Sequence, residues 1–385
     1  MLTRYISSVA IILMLTMCRS TPADAPAGGG GSAQEPGVKV NTLLDGRGII
    51  WGMDFLPDGE LIFTEKAGKM FRFKNGTVTE ITGVPTVNTN GQGGLLDIKI
   101  DPDYTSNGWL YCSYAAPGAG GDNQGFLTLA RFKLNGNQIT GLETLLKAST
   151  PDTWFNHYGS RIVFDNKGYL YLSVGEGGTT TYGGAGSPNM NAQNVKVEWG
   201  KVHRMTRDGK VPADNPVLPG NTAPTTVYTY GHRNPQGLLF NTLTNEVWEN
   251  EHGPRGGDEI NIIRPGRNYG WPLVSYGVNY DGKTISENPE KEGVETPIHT
   301  WTPSIAPSGM AMITADRFKA WKGNLLVGSL AFHYLARLEL NNGKVTKETK
   351  MLDGIGRVRN IKQAPDGSIY VSVEGPGRIL QLVAE

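Results

Sequence analysis

A short unit recurs along this chain: a turn carrying Asp, Asn or Gly, followed at once by an alternating run of aromatic, aliphatic and β-branched residues. It reads Pro57-Asp58-Gly59-Glu60-Leu61-Ile62-Phe63, then Asn107-Gly108-Trp109-Leu110-Tyr111, then Asn166-Lys167-Gly168-Tyr169-Leu170-Tyr171-Leu172. It returns at Asn245-Glu246-Val247-Trp248, Gly323-Asn324-Leu325-Leu326-Val327 and Pro365-Asp366-Gly367-Ser368-Ile369-Tyr370-Val371. Turn residues followed by period-two alternation mark strands entered from tight turns. The spacing of about 40 to 80 residues is longer and less regular than in the common propeller repeats, as if loops of different length had been inserted. Six units of about four short strands fill the chain from about residue 38 onward, and helical periodicity is almost absent. This predicts an all-β fold, a six-bladed β-propeller whose long inter-strand loops form a site on one face. A pair of β-sandwiches is the plainer alternative. Gly, at 52 of 385 residues against roughly 7% in an average chain, fits so many turns.

Lys and Arg together number 36, as do Asp and Glu, and no basic stripe stands out, so nucleic acid is not an expected partner. Beyond the N-terminus no apolar run approaches the roughly 20 residues that span a bilayer. The first 18 residues read as a signal peptide: Arg4 precedes an apolar stretch from Ile6 to Met17. Leu15-Thr16-Met17-Cys18 resembles a lipoprotein cleavage box with Cys18 as the lipidated residue, although Met17 is larger than is usual there. Residues 19–37 are rich in Ala, Pro and Gly and read as a flexible tether, leaving 38–385 as a single domain. An exported protein is expected, periplasmic or anchored to the membrane as a lipoprotein. Cys112 would then be the remaining thiol, a small buried hydrophobe in a strand.

Four polar segments interrupt the strands. Gly91-Gln92-Gly93-Gly94-Leu95-Leu96-Asp97 lets backbone approach a ligand closely, a weak signal on its own. Trp154-Phe155-Asn156-His157-Tyr158-Gly159-Ser160-Arg161 precedes a strand and Gly175-Glu176-Gly177-Gly178 follows it, so His157 and Glu176 can meet at one end of a blade. A carboxylate on one imidazole nitrogen orients the ring and raises the basicity of the other; a structural surface histidine is the commoner reading of such a residue taken alone. In Tyr230-Gly231-His232-Arg233-Asn234-Pro235-Gln236-Gly237, Arg233 is a permanent cation suited to a carboxylate or a developing oxyanion. The run from Glu249 to Asn261 crowds carboxylates with Gly-Pro turns, oxygen ligands that suit Ca²⁺ better than zinc. Arg357 and Arg359, two apart, share a strand face and could clamp an anion, or be ordinary solvated charges.

Together these segments resemble the soluble glucose/sorbosone dehydrogenase family, quinoprotein propellers that use pyrroloquinoline quinone (PQQ), and more closely its aldose sugar dehydrogenase branch. The resemblance spans about residues 40 to 383 and is carried by Gly231-His232-Arg233-Asn234-Pro235-Gln236-Gly237, by Glu251-His252-Gly253-Pro254-Arg255-Gly256-Gly257-Asp258-Glu259-Ile260-Asn261 and by Asn268-Tyr269-Gly270-Trp271-Pro272. It implies oxidation of the C1 hydroxyl of an aldose sugar to a lactone, with electrons passed to an external acceptor, a quinone or a cytochrome. His157 would be the general base, oriented by Glu176, and Arg233 would sit by the quinone oxygen that gains charge. Gln92 and Asn234 would hydrogen-bond the cofactor, and Arg357 and Arg359 would bind its carboxylates. The carbonyls of Gly253 and Pro254 would hold a Ca²⁺ that also binds PQQ; Glu259 and the carbonyl of Tyr269 resemble a second Ca²⁺ site. Trp301 would help wall the substrate pocket.

One departure stands out. Relatives place a Lys in the strand-end loop that reaches the cofactor, whereas Gly328-Ser329-Leu330-Ala331-Phe332-His333 has none, leaving His333 as the nearest substitute. Two other readings use the same architecture: a Ca²⁺-dependent lactonase, which has no obvious use for Arg357 and Arg359, and a non-catalytic propeller that binds carbohydrate or protein at the cell surface.

Overall fold

The computed structural model describes residues 37–385 apart from Gly120. The expected signal peptide, Cys18 and nearly all of the expected tether lie outside the described residues. Six four-stranded antiparallel sheets follow one another along the chain. The first blade is Ile50–Phe55, Leu61–Glu65, Lys69–Lys74 and Thr77–Ile81; the second is Leu95–Ile100, Leu110–Gly118, Gly121–Asn135 and Gln138–Lys147. The third is Ile162–Phe164, Leu170–Val174, Lys201–Met205 and Val227–Tyr230, and the fourth Pro235–Asn241, Glu246–Glu251, Asp258–Ile263 and His299–Trp301. The fifth is Pro307–Met312, Leu325–Ser329, Leu335–Asn341 and Lys344–Met351. The sixth takes Arg357–Gln363, Ile369–Glu374 and Gly377–Ala384 from the end of the chain and Val38–Arg47 from its start, in register from Val38 opposite Ala384 to Arg47 opposite Gly377. The first strands of successive blades contact one another in a closed ring, so the fold is a six-bladed β-propeller. Ring closure by pairing of Val38–Arg47 with the C-terminal strand satisfies edges that would otherwise be open.

Each of the six recurrent units in the sequence coincides with the turn from first to second strand of one blade. Because the strands alternate in direction, these turns share one end of the ring. The second-to-third turns and the connections between blades share the other, and these carry Gln92, His157, Glu176, Arg233, Asn234, Gly253 and Pro254, whereas Tyr269 lies in the long third-to-fourth connection of the fourth blade.

The apolar core lies between blades. Between the second and third, Tyr111, Leu129, Leu170 and Leu172 are buried together, and between the fourth and fifth, Trp248, Ile260, Leu325 and Val327. Truncating such a residue, Leu172→Ala for instance, costs about 2–5 kcal/mol. Cys112 is buried opposite Ile98, its thiol pushed up to about 12 by burial, so it is an inert core residue as expected.

Candidate active site

The loop that carries His157 is held from below and from the side. Asp152 Oδ1 accepts the N–H groups of Trp154 at 2.7 Å and Phe155 at 3.0 Å, folding the segment into a tight turn. Phe155 and His157 both have left-handed backbones, at φ 56° and 51°, so the surrounding contacts must impose the shape. Two of those contacts come from the Gly91-Gln92 segment: Gln92 N–H donates to Phe155 O at 2.8 Å, and Gln92 Oε1 accepts from His157 N at 3.1 Å. A β-carbon on Gly91 would stand 2.2 Å from Phe155 O, which is why that position takes glycine.

His157 Nδ1 lies 2.8 and 2.9 Å from the two carboxylate oxygens of Glu176, which is fully buried and also accepts from Asn189 Nδ2 at 2.7 Å. An ionised carboxylate only accepts, so Nδ1 carries the proton and Nε2 keeps its lone pair. Burial, with the Arg233 charge in support, holds the imidazole below its ordinary range against the opposing pull of Glu176. The ring is therefore a neutral base near pH 7.

From this pair a continuous hydrogen-bonded path runs across the face. Gln92 Oε1 accepts from Asn234 Nδ2 at 3.4 Å, and Asn234 Oδ1 from Gln236 Nε2 at 3.0 Å. Gln236 Oε1 accepts from Arg359 Nη1 at 2.8 Å, and Glu374 receives Arg359 Nε at 2.6 Å and Arg357 Nε at 2.9 Å. The path borders a cavity of about 310 Å³, within the size range of small-ligand sites, whose walls include Trp51, Lys66, Gln92, Gln236, Arg357 and Arg359. Three cations against the single carboxylate of Glu374 make this a receptor for an anion. Arg233 lines a smaller cavity that shares His252 with this one: its Nη1 donates to Gly253 O at 2.8 Å and His252 O at 3.1 Å, while its buried Nε has no protein acceptor. These features fit a polycarboxylate quinone.

Gly253, Pro254, Glu259 and Tyr269, assigned to two cation sites by resemblance, all line one cavity of about 20 Å³, room for a single water or ion. Behind it the Asn261 amide nitrogen is shared by Glu249 at 3.2 Å, Glu251 at 3.4 Å and Glu259 at 3.1 Å. Glu249 Oε1 and Asn261 Oδ1 are buried with no partner, and burial first, then the charge of Glu251, pushes Glu249 and Glu259 well above the usual range. Hard oxygen donors, surplus negative charge and orphaned oxygens are what a Ca²⁺-sized cation would satisfy.

Trp301 is not part of this assembly. Its indole packs in the core between the fourth and fifth blades and donates to Glu348 at 2.9 Å, because alternation along an outermost strand turns it to the inter-blade face. It corrects the expectation of a pocket wall. Gln236, Glu374, Lys66 and Glu249 are the members that the sequence did not single out, although Gln236 and Glu249 lie inside the quoted motifs.

A sequence model of the family described as glucose / sorbosone dehydrogenase matches residues 48–381. The chain belongs to the glucose/sorbosone dehydrogenase family. It is 36% identical to the aldose sugar dehydrogenase YliI of Escherichia coli over 352 residues, 90% of this chain and 92% of that one. The apo crystal structure of the soluble aldose sugar dehydrogenase of Escherichia coli superposes with a TM-score of 0.84 at 34% identity, covering 90% of this chain and all of the other. The PQQ-bound aldose sugar dehydrogenase of Streptomyces coelicolor gives 0.71 at 28% identity over 92% of this chain and all of that one. Family membership places the chain among oxidoreductases.

Proposed function

We propose that this family member is a quinoprotein aldose dehydrogenase: it oxidises the C1 hydroxyl of an aldose to the lactone with PQQ as immediate oxidant and Ca²⁺ as companion ion. The observation that carries the reading is a neutral histidine locked through Nδ1 to a buried glutamate, with Nε2 free, beside a cavity walled by three cations. His157 Nε2 takes the proton of the C1 hydroxyl as the hydride leaves C1, and Glu176 stabilises the imidazolium that results. Arg357 and Arg359 would hold the carboxylates of PQQ, Gln92 and Asn234 would offer it hydrogen bonds, and Arg233 would supply positive charge beside it. The carbonyls of Gly253, Pro254 and Tyr269 and the carboxylate of Glu259 would hold Ca²⁺. Bound PQQ supplies the two-electron acceptor, regenerated by an external quinone or cytochrome. Export to the periplasm, with or without lipid on Cys18, is part of the proposal and rests on the N-terminal sequence alone.

The test is dye reduction by the mature protein with a panel of aldoses, with and without PQQ and Ca²⁺. Sugar-dependent reduction should require the quinone and vanish in His157→Ala. Reduction that persists in His157→Ala, or turnover without quinone, would refute the assignment.

A further inference from the structure

The loop Gly328–His333 lacks the lysine expected from the resemblance, and the residues by which it lines the cavity, Leu330 and Ala331, carry no charge. His333 has a left-handed backbone at φ 61° and lies outside the cavity wall; Leu330 and Ala331 face the cavity instead, with Leu330 O accepting Arg357 Nη1 at 3.0 Å. A third cation nevertheless stands in that wall, from the opposite side of the ring closure. Lys66 occupies the second-to-third turn of the first blade, next to the sixth blade that carries Arg357 and Arg359.

Its stem is fixed. Lys66 N donates to Ile49 O at 2.8 Å and Lys66 O accepts from Leu95 N at 3.1 Å. Gly94, at φ 138°, lies so close that a β-carbon there would stand 2.2 Å from Lys66 O and 2.7 Å from its Cγ. The ammonium is less well provided for. Its hydrogen bond is to Thr89 O at 3.1 Å, and it forms no ion pair among the described residues, since Glu374 is engaged by both arginines. Burial and the charge of Arg359 both disfavour the ammonium, only partly offset by Glu374. A cation held in place at a half-buried wall with no dedicated counter-ion lacks a negative group.

We infer that Lys66 is a ligand-binding cation of the cavity, forming an ion pair with a carboxylate of bound PQQ and supplying from the first blade the charge absent from Gly328–His333. The inference rests on the PQQ reading above. It also implies that the cavity selects anionic ligands with at least two separated carboxylates, one for the Arg357–Arg359 pair and one for Lys66.

The experiment is a binding titration of the full chain with PQQ, followed by quenching of protein fluorescence, to which Trp51 in the wall should contribute, and by the quinone absorbance in equilibrium dialysis. Wild type, Lys66→Met, Lys66→Arg and His333→Ala are compared at low and high salt, with thermal melts confirming that each is folded. Lys66→Met should raise Kd by roughly 10- to 100-fold, with the gap narrowing at high salt. Lys66→Arg should stay within about threefold of wild type, because charge rather than shape is the requirement, and His333→Ala should bind as wild type does. Bound PQQ should also protect Lys66 from amine acylation read by mass spectrometry. Wild-type Kd in Lys66→Met, or a loss confined to His333→Ala, would overturn the role of Lys66 while leaving the cofactor reading intact. Failure of the wild type to bind PQQ would overturn both.

Discussion

Replacing Glu176 by Gln tests the mechanism at the atom where it is most exposed to failure. The carboxylate holds His157 Nδ1–H through two oxygens at 2.8 and 2.9 Å, fully buried, with Asn189 fixing it from behind. Glutamine keeps the volume and one acceptor oxygen but removes the charge that stabilises the imidazolium formed as the proton leaves the substrate. A hydrogen bond to a charged group is worth about 1.5–3 kcal/mol, so kcat should fall roughly 10- to 150-fold. The pH profile separates this from simple damage to the fold. Among the influences on His157, burial and Arg233 lower its affinity for a proton, while Glu176 raises it through both charge and hydrogen bond, with Glu251 a smaller contribution of the same sign. Without the carboxylate the histidine stays deprotonated to lower pH, so the acid limb of kcat must move to more acidic pH even as the plateau drops. Steady-state kinetics on an aldose from pH 4 to 8, roughly the range around the ordinary histidine value, decides the matter. A plateau within twofold of wild type, or an acid limb that moves toward neutrality, would refute the base assignment.

Further outcomes follow from other contacts. Arg161 Nη1 meets Asp97 at 2.9 Å, both buried, with the guanidinium over the Trp51 ring at 4.2 Å; Asp97→Ala leaves that charge unpaired and should lower stability by about 3–5 kcal/mol in urea unfolding. Gly91→Ala, whose β-carbon would overlap Phe155 O, should shift the His157 loop and reduce kcat about 100-fold with little change in melting temperature, since the clash falls on a surface loop. Removing divalent cations with a chelator should make stability fall as pH rises. Carboxyl groups held above their unfolded pKa favour the folded state only while protonated, so the stripped protein, with Glu249 and Glu259 both raised, loses stability as pH climbs above about 4.5 through those raised values. Ca²⁺ should flatten that slope in scanning fluorimetry, and a slope unaffected by Ca²⁺ would count against a cation there.

The architecture was legible in the sequence because of where its signal sits. Most first-to-second turns are short and repeat their chemistry, as in Pro57-Asp58-Gly59 and Pro365-Asp366-Gly367, and the longer ones after Ile100 and Met312, which hold a short helical turn, still carry Asn and Gly at the entry to the second strand. The opposite end varies: the segment between Val174 and Lys201 is long and the one between Glu374 and Gly377 is two residues, so no period survives there. The His157–Glu176 pair could be anticipated because both flank the same two strands of the third blade, and the Arg357–Arg359 pair because a period of two keeps them on one face. Glu249 was legible as a carboxylate but not as a buried one: the same alternation that aims Val247 into the inter-blade core aims Glu249 and Glu251 after it. Trp301 failed for the reciprocal reason, since a three-residue outer strand offers too little alternation to say which side faces a pocket. Lys66 had no local signal at all. It becomes a neighbour of Arg359 only when the strand Val38–Arg47 pairs with Gly377–Ala384 and brings the first blade against the sixth. Chemistry that depends on ring closure belongs to the fold as a whole, and Lys66 separates what a motif carries from what only the closed propeller assembles.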